Sequence, residues 1–180
     1  MTRWICLLRG VNVLGRCALP MSELARSMER LGLRDVKTYI QSGNVVFSSA
    51  ARNAAPLVAK IRKAIAVAHG VDPHVLLLTQ AELEDAAGEN PFPEAAAHPK
   101  SVHLFFLDRK PSKPDVTKLH AQRADSERFL LADRVFYLHT PDGFGISKLA
   151  RIAERALGVP ATARNWRTVT ALIAMARETA

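Results

Sequence analysis

The chain has 180 residues, of which 48% are hydrophobic and 23% are charged, and its formal net charge at pH 7 is +8. This composition excludes a disordered or low-complexity chain and permits one globular domain or two small halves. The longest apolar runs, such as residues 75–78, are too short to cross a bilayer, no signal peptide is recognisable, and two cysteines are too few for a disulfide scaffold.

The first half of the sequence predicts alternating strands and helices. Apolar and β-branched runs predict strands over 4–9, 36–41, 44–48 and 75–78, and periodic apolar residues predict helices over 20–32, 53–70 and 80–87. Ser42 and Gly43 form a predicted two-residue turn between the second and third strands, because glycine accepts a positive φ there. The order β-α-β-β-α-β is that of a ferredoxin-like fold with an antiparallel sheet.

A proline-rich connector is predicted over residues 89–99, and the order of elements then partly repeats. The second half predicts strands over 102–107, 127–131 and 135–139, and helices over 114–121 and 146–157. A last helix is predicted to begin near Thr162, because threonine is a good N-cap residue. We therefore predict an α+β protein with one ferredoxin-like half over 1–88 and a second, βαββα with an extra C-terminal helix, over 100–180.

The stretch RGVNVLGRC, residues 9–17, approaches the phosphate-binding loop of nucleotide hydrolases, in which spaced glycines are followed by Lys and then by Ser or Thr. Here Arg16 stands in place of that lysine and Cys17 in place of the hydroxyl residue, and a thiol is a poor ligand for Mg²⁺. The turn at Ser42 and Gly43 also requires antiparallel neighbours, whereas a P-loop fold needs a parallel sheet. A P-loop hydrolase is therefore not expected.

The predicted topology places polar residues of the first half at one end of the sheet. The end of the first strand, the start of the first helix and the tip of the hairpin meet there, which gathers Arg9, Asn12, Gln41, Ser42 and Asn44. Helix N-termini carry unpaired N–H groups and partial positive charge, so an arginine and amide side chains beside one can hold an anion. In the alternative interpretation, Asn12 and Asn44 stabilise tight turns, as asparagine often does.

Several stretches resemble a known family. LLRGVNVLGRCALPMSEL, VKTYIQSGNVVFSS, NPF, GISKL and ARNWRTVTAL are similar to motifs of the domain-of-unknown-function family numbered 1697, and together they extend over nearly the whole chain. The resemblance implies a bacterial cytoplasmic protein of two ferredoxin-like halves, with no established activity and no catalytic residues to carry over. The family-like positions are Arg9, Gly10, Asn12, Tyr39, Gln41, Ser42, Gly43, Asn44, Arg164, Asn165 and Trp166.

Three residues of the second half are further candidates for ligand binding. Arg164 and Asn165 are predicted in the first turn of the last helix, where they would complete a polar pocket between the halves. The alternative is that Arg164 is a solvated surface charge. Lys148, at the start of the preceding predicted helix, is a secondary candidate.

Three functions are compatible with the sequence. The one that we favour is a binding module for a small anionic or nucleotide-like ligand at the end formed by loop 10–17 and hairpin 41–44. The second is nucleic-acid binding, which the basic charge favours, although Trp4 and Phe47 are the only stacking candidates on the central strands. The third is an enzyme, but no catalytic constellation is visible. We expect no cofactor, no metal and no membrane partner, and we expect a cytoplasmic protein whose oligomeric state the sequence does not reveal.

Overall fold

The computed structural model of the protein describes residues 1–12 and 18–178, and within these ranges the chain forms two sheets and six helices. The strands are β1 Thr2–Arg9, β2 Arg34–Tyr39, β3 Asn44–Ser49, β4 His74–Thr79, β5 Val102–Leu107, β6 Arg128–Ala132, β7 Val135–His139 and β8 Ala161–Asn165. The helices are α1 Met21–Arg30, α2 Ala54–His69, α3 Gln80–Gly88, α4 Val116–Gln122, α5 Lys148–Leu157 and α6 Trp166–Arg177. The chain divides into two compact units, Met1–Asp85 with Thr170–Ala180, and Ala86–Val169.

The first unit contains an antiparallel sheet in the order β2-β3-β1-β4. Its central strand β1 pairs with β3 and β4, so that Cys6 lies opposite Val45 on one side and Leu77 on the other. Alternate β1 residues, Cys6 among them, belong to a buried cluster that also holds Leu24 of α1 and Ile61 of α2. Because side chains alternate across a strand, this face of the sheet is the one that the two helices cover.

The end of α6 is fastened to the same sheet by polar contacts. Arg3, in β1, donates from Nη2 to the carbonyl oxygens of Met175 and Glu178 at 3.3 and 3.2 Å. Lys37, in β2, forms an ion pair with the Glu178 carboxylate at 2.9 Å. These bonds join residues far apart in sequence, and they hold the end of α6 to the sheet of the first unit.

The second unit repeats this architecture with an antiparallel sheet in the order β6-β7-β5-β8. Its core includes Phe105 of β5 and Phe136 of β7, whose rings meet edge to face at a centroid distance of 5.5 Å. Leu149 and Leu157 of α5 lie in the same cluster. Two antiparallel sheets with helices confirm the predicted α+β class and the two ferredoxin-like halves. Both neighbours of β1 run antiparallel to it, which is incompatible with the parallel sheet of a P-loop fold.

The second half differs from the prediction at its last strand. Thr162 does not cap a helix; it lies in β8, fully buried, opposite Phe106 of β5. The cap of α6 is Asn165, whose Oδ1 accepts a hydrogen bond from Thr168 N at 2.9 Å. Without β8, one edge of the buried strand β5 would leave its N–H and C=O groups unpaired, and that cost outweighs the local capping preference of threonine. The second half is therefore βαββαβ followed by α6.

The hairpin between β2 and β3 also differs from the predicted two-residue turn. The last paired residues are Tyr39 and Asn44, so the loop has four residues, 40–43. Ile40 has φ of 48° and Gly43 has φ of 74°. A left-handed backbone suits glycine but is unusual for a β-branched residue such as isoleucine, which is why the sequence did not predict a loop that begins at Ile40.

Replacing Ile40 by asparagine is expected to raise the free energy of unfolding by about 1 kcal/mol, because asparagine tolerates the left-handed conformation that isoleucine adopts under strain. Little packing is lost, since Ile40 is 53% exposed. Ile146→Asn is the matched control, because Ile146 is 69% exposed and is not among the residues with a positive φ. Urea denaturation measures both variants. Equal effects of the two substitutions would show that Ile40 is not strained.

No described helix, in residues 1–12 and 18–178, combines the length and the apolar character needed to cross a bilayer.

Candidate functional site

The loop after β1 and the β2–β3 hairpin meet at one end of the sheet of the first unit. We call residues 9–12, 18–20 and 40–44 the loop–hairpin pole. Hydrogen bonds tie β1 and its loop to the hairpin: Leu8 N, just before the pole, donates to Gly43 O at 2.7 Å, and Asn12 Nδ2 donates to Gln41 O at 2.8 Å. The structure therefore brings the exit of β1 and the hairpin tip together, as the βαββαβ topology requires.

Asn12 is the central connection of the pole. Its Nδ2 donates to Leu19 O as well as to Gln41 O, and its Oδ1 accepts from Leu19 N, each at 2.8 Å. Its φ of 54° is left-handed, a conformation that asparagine adopts more readily than most residues. One amide side chain thus fixes both ends of the loop, at residues 12 and 19, against the hairpin.

Asn44 has a corresponding role inside the hairpin. Its side chain is buried, and its Nδ2 donates to Tyr39 O at 3.2 Å and to Ser42 Oγ at 2.9 Å. The amide groups of Asn12 and Asn44 therefore bond the pole itself, which agrees with the turn-stabilising interpretation of both residues. Any ligand at the pole would meet other side chains first.

The exposed polar residues of the pole are Arg9, Gln41 and Ser42. Arg9 is the last residue of β1 and lies opposite His74 in the register of β4. Pro20 is the N-cap of α1 and makes no side-chain capping bond, while its carbonyl oxygen accepts from Glu23 N and Leu24 N, both at 3.0 Å. Residues 13–17, which include Arg16 and Cys17 of the stretch that approaches a phosphate-binding loop, lie outside the described residues.

The three candidates of the second half lie in the second unit and have local partners. Arg164, in β8 opposite Leu104, donates from Nη1 to the carbonyl oxygen of Ala163 at 2.8 Å. Asn165 is engaged as the N-cap of α6. Lys148 is the exposed first residue of α5, whose N-cap is Ser147. The placement of Arg164 and Asn165 in the first turn of a helix is therefore corrected to the end of β8 and the helix cap.

Sequence reasoning missed a cavity of about 820 Å³ in the second unit. Residues 97–101, most of residues 139–143, and Arg167 line it. The two segments are joined by Thr140 N, which donates to Ser101 O at 2.7 Å. Since about 40 residues separate the segments, no local motif could have revealed the cavity; only the order of the strands brings them together.

Carboxylates in the loops of the second half have structural roles. Asp115 is the N-cap of α4 and accepts from Lys118 N at 2.9 Å. Asp133 takes a positive φ in the turn between β6 and β7, and Asp142 accepts from Ser126 Oγ. Among the described residues, no group of three or more His, Cys, Asp or Glu side chains is arranged to hold a metal ion.

The aromatic residues that nucleic-acid binding would need are buried. RNA-recognition domains of this topology stack bases on aromatics of an open sheet face. Trp4 is 3% exposed and Phe47 is not exposed, because both pack in the cluster under α1 and α2. On the opposite face of β1, Ile5 and Leu7 are also fully buried. Neither face of this strand offers a stacking surface.

Comparison with known proteins gives a family and a fold. A family model described as "Protein of unknown function (DUF1697)" matches residues 1–137, so the GISKL and ARNWRTVTAL stretches lie beyond the matched range. The chain is similar to a solved structure, that of the conserved bacterial protein SP0830 from Streptococcus pneumoniae, with 25% identity over 98% of this chain and 99% of that chain and a TM-score of 0.69. No curated protein matches the chain.

Proposed function

The chain belongs to the DUF1697 family, which is described only as proteins of unknown function, and we propose that it is a binding module for a small anionic or nucleotide-like ligand at the loop–hairpin pole. In this proposal Arg9, Gln41 and Ser42 contact the ligand, and Asn12 and Asn44 position them. The observation that carries the proposal is the Asn12 bridge, because two of its hydrogen bonds join residues 12 and 19 of the loop and a third joins the loop to Gln41 of the hairpin.

Pre-organisation is the first support. A site binds tightly when its groups are already held in place, since the ligand then does not have to order them. Asn12 donates to the main-chain oxygen of Gln41, and Asn44 donates to Tyr39 O and to the hydroxyl of Ser42, while Gln41 and Ser42 are themselves exposed. The two asparagines are therefore consistent with both the structural and the functional interpretation: they stabilise the turns, and the turns present the neighbouring side chains.

Electrostatics are the second support. Arg9 places a permanent positive charge at the end of β1, and the N-terminus of α1 follows the loop with an N-cap proline that makes no side-chain bond. The partial positive charge of a helix N-terminus and an arginine both favour an anion. The net charge of +8 would add attraction at a distance.

The strained Ile40 is the third support. A β-branched residue with φ of 48° costs stability, and its 53% exposure means that core packing does not require it there. Strain that packing does not explain is often found where a loop has a function. In our proposal the exposed Ile40 side chain supplies an apolar contact beside the anion-binding groups.

Thermal unfolding in the presence of phosphate, pyrophosphate, AMP, ATP and citrate tests the proposal. A ligand present at a hundred times its dissociation constant stabilises the folded protein by about 2.7 kcal/mol, which raises the Tm of a chain of this size by roughly 5 to 10 °C. Arg9→Gln is expected to remove most of that shift, because it deletes the charge that contacts the anion.

Arg30→Gln is the matched control for Arg9→Gln. Arg30 is also an exposed arginine of the first unit, and it lies at the opposite end of α1 from the pole. The proposal predicts that Arg30→Gln leaves the ligand-induced shift in Tm unchanged. Equal losses in the two variants would indicate attraction to the overall charge and would remove the pole as a site.

The other interpretations stay predictions. Ligand binding by Arg164, Asn165 and Lys148 is one of them, and all three residues lie in the second unit. Nucleic-acid binding is supported by the basic net charge. An enzymatic reaction has no assigned catalytic residues. A cytoplasmic location is expected from the sequence.

A further inference from the structure

The cavity of the second unit has the chemistry of a separate ligand site. We propose that it binds an organic anion, a phosphate or carboxylate group carried on an apolar body, independently of the loop–hairpin pole. Its volume of about 820 Å³ lies in the range of small-molecule sites, which is about 300 to 1,000 Å³.

The wall of the cavity is held by hydrogen bonds to main-chain carbonyl groups. Thr140 N and Thr140 Oγ1 both donate to Ser101 O, at 2.7 and 3.3 Å, and Ser101 Oγ donates to His98 O at 2.8 Å. Arg167 N donates to Pro99 O at 3.4 Å, which attaches the first turn of α6 to the same wall. The cavity is therefore part of the folded unit and does not have to be created by the ligand.

The charge of the lining is positive. Lys100 and Arg167 are exposed lining residues, and no Asp or Glu belongs to the described residues that line the cavity. The nearest carboxylate in sequence, Asp142, accepts from Ser126 Oγ at 2.5 Å and lines a different, smaller cavity. Within the described part of the chain, Lys100 has no ion-pair partner. An anion entering the cavity would therefore meet two cationic side chains among the described lining residues.

His139 is a buried lining residue that can donate a further hydrogen bond. Arg128 Nη2 lies 3.2 Å from His139 Nδ1, and because a guanidinium only donates, Nδ1 must accept and the ring proton must sit on Nε2. Burial, with the nearby charge of Arg128, lowers the pKa of His139, which keeps the ring neutral. Glu94 forms an ion pair with Arg128, and the ring of Phe92 lies 5.7 Å from the ring of His139. Both contacts help to keep Arg128 and His139 in place.

Part of the remaining lining is apolar, beside the polar residues His98, Ser101 and Thr140, and this apolar part defines the body of the ligand. Ala97, Pro99 and Pro141 supply carbon surface next to the cationic residues. A free inorganic anion would leave that surface in contact with water, whereas an anion on an apolar or aromatic body would cover it. This combination of lining groups selects an amphiphilic anion over a simple ion.

Isothermal titration calorimetry on the full chain tests the proposal with AMP as the phosphate probe, 2-naphthoate as the carboxylate probe and adenosine as the uncharged comparison. We expect at least one anion to bind with a dissociation constant below about 1 mM, and adenosine to bind at least about 10-fold more weakly than AMP. Lys100→Gln and Arg167→Gln should each raise the dissociation constant of the anion roughly 10-fold. Which probe binds decides between phosphate and carboxylate.

Two controls separate this site from the pole and from general charge effects. Lys113→Gln removes an exposed lysine of the same unit that does not line the cavity, and it should leave the affinity unchanged. Arg9→Gln should also leave it unchanged, whatever it does to binding at the pole. The proposal is overturned if neither anion binds up to about 5 mM, or if Arg9→Gln weakens binding while Lys100→Gln and Arg167→Gln do not.

Discussion

Replacing Gly43 by alanine is expected to lower the free energy of unfolding by about 2 to 4 kcal/mol, the largest effect that we predict for a single methyl group in this protein. The φ of Gly43 is +74°, so any other residue there adopts a strained left-handed backbone at a cost of about 1 kcal/mol. A Cβ at this position would also lie 2.6 Å from Leu8 Cβ and 2.7 Å from Val11 Cγ2.

These neighbours cannot easily move away. Leu8 N donates to Gly43 O at 2.7 Å, so separating the two residues would break the bond that joins β1 to the hairpin. Leu8 and Val11 are both buried, and overpacking a buried site typically costs about 1 to 3 kcal/mol. The strain and the overpacking therefore add at the same residue.

Gly32→Ala separates the two contributions. Gly32 has nearly the same backbone, with φ of +81°, but a Cβ there would meet nothing within 4 Å. Its replacement should cost about 1 kcal/mol, from the backbone alone. Urea denaturation of both variants gives the difference. If Gly43→Ala costs no more than Gly32→Ala, the close approach between the hairpin and β1 is not as tight as the structure indicates.

The protein is expected to lose stability as the pH falls from about 6.5 to about 4, because of one buried histidine. His103 lies in β5 and stacks on Phe144 at a ring distance of 3.9 Å. Its Nδ1 is buried and has no hydrogen-bond partner among the described residues. Burial lowers the pKa of His103 to about 4, from an ordinary value of 6.5.

The direction of the effect follows from proton uptake. In this pH range the unfolded chain protonates His103 while the folded chain does not, so acid favours the unfolded state and stability rises with pH. The difference between the two pKa values corresponds to roughly 3 kcal/mol lost by pH 4, and nothing is gained from this group above about pH 7.

Urea denaturation at several values of pH, for the natural protein and for His103→Gln, measures this contribution. Glutamine does not titrate, so the free energy of unfolding of the variant should depend less on pH between about 4 and 6.5. The free energy of unfolding of the variant should still depend weakly on pH, because burial also lowers the pKa of His139. Parallel pH profiles for the two proteins would show that folding does not lower the pKa of His103.

Apart from β8, the order of helices and strands along the chain could be predicted from the sequence, because its signals are local. Apolar runs located β1, β5 and β7, and the glycines after α2 and α5 mark helix ends that the structure confirms with left-handed φ values at Gly70 and Gly158. β8 was missed because its evidence is not local. Thr162 looks like a helix cap until β5 is known to need a partner along its free edge.

The candidate site was predictable only in part. The βαββαβ topology places the end of β1 beside the hairpin, and the bond from Asn12 to Gln41 confirms that proximity. The sequence could not show that the side-chain amides of Asn12 and Asn44 form hydrogen bonds within the pole itself, because that depends on the positions of atoms 2.8 to 3.2 Å apart. The cavity of the second unit could not be predicted from the sequence either, because segments that are distant in sequence form it.

Titration of ¹⁵N-labelled protein with ATP, followed through the backbone amide resonances, tests the central claim that the loop–hairpin pole binds an anion. We predict saturable shifts that begin at Gly10, Gln41 and Ser42 and that are lost in Arg9→Gln, while any shifts at Ser101 and Thr140 persist in that variant. Amide shifts that spare the pole, or shifts there that grow linearly without saturating, would contradict the proposed function.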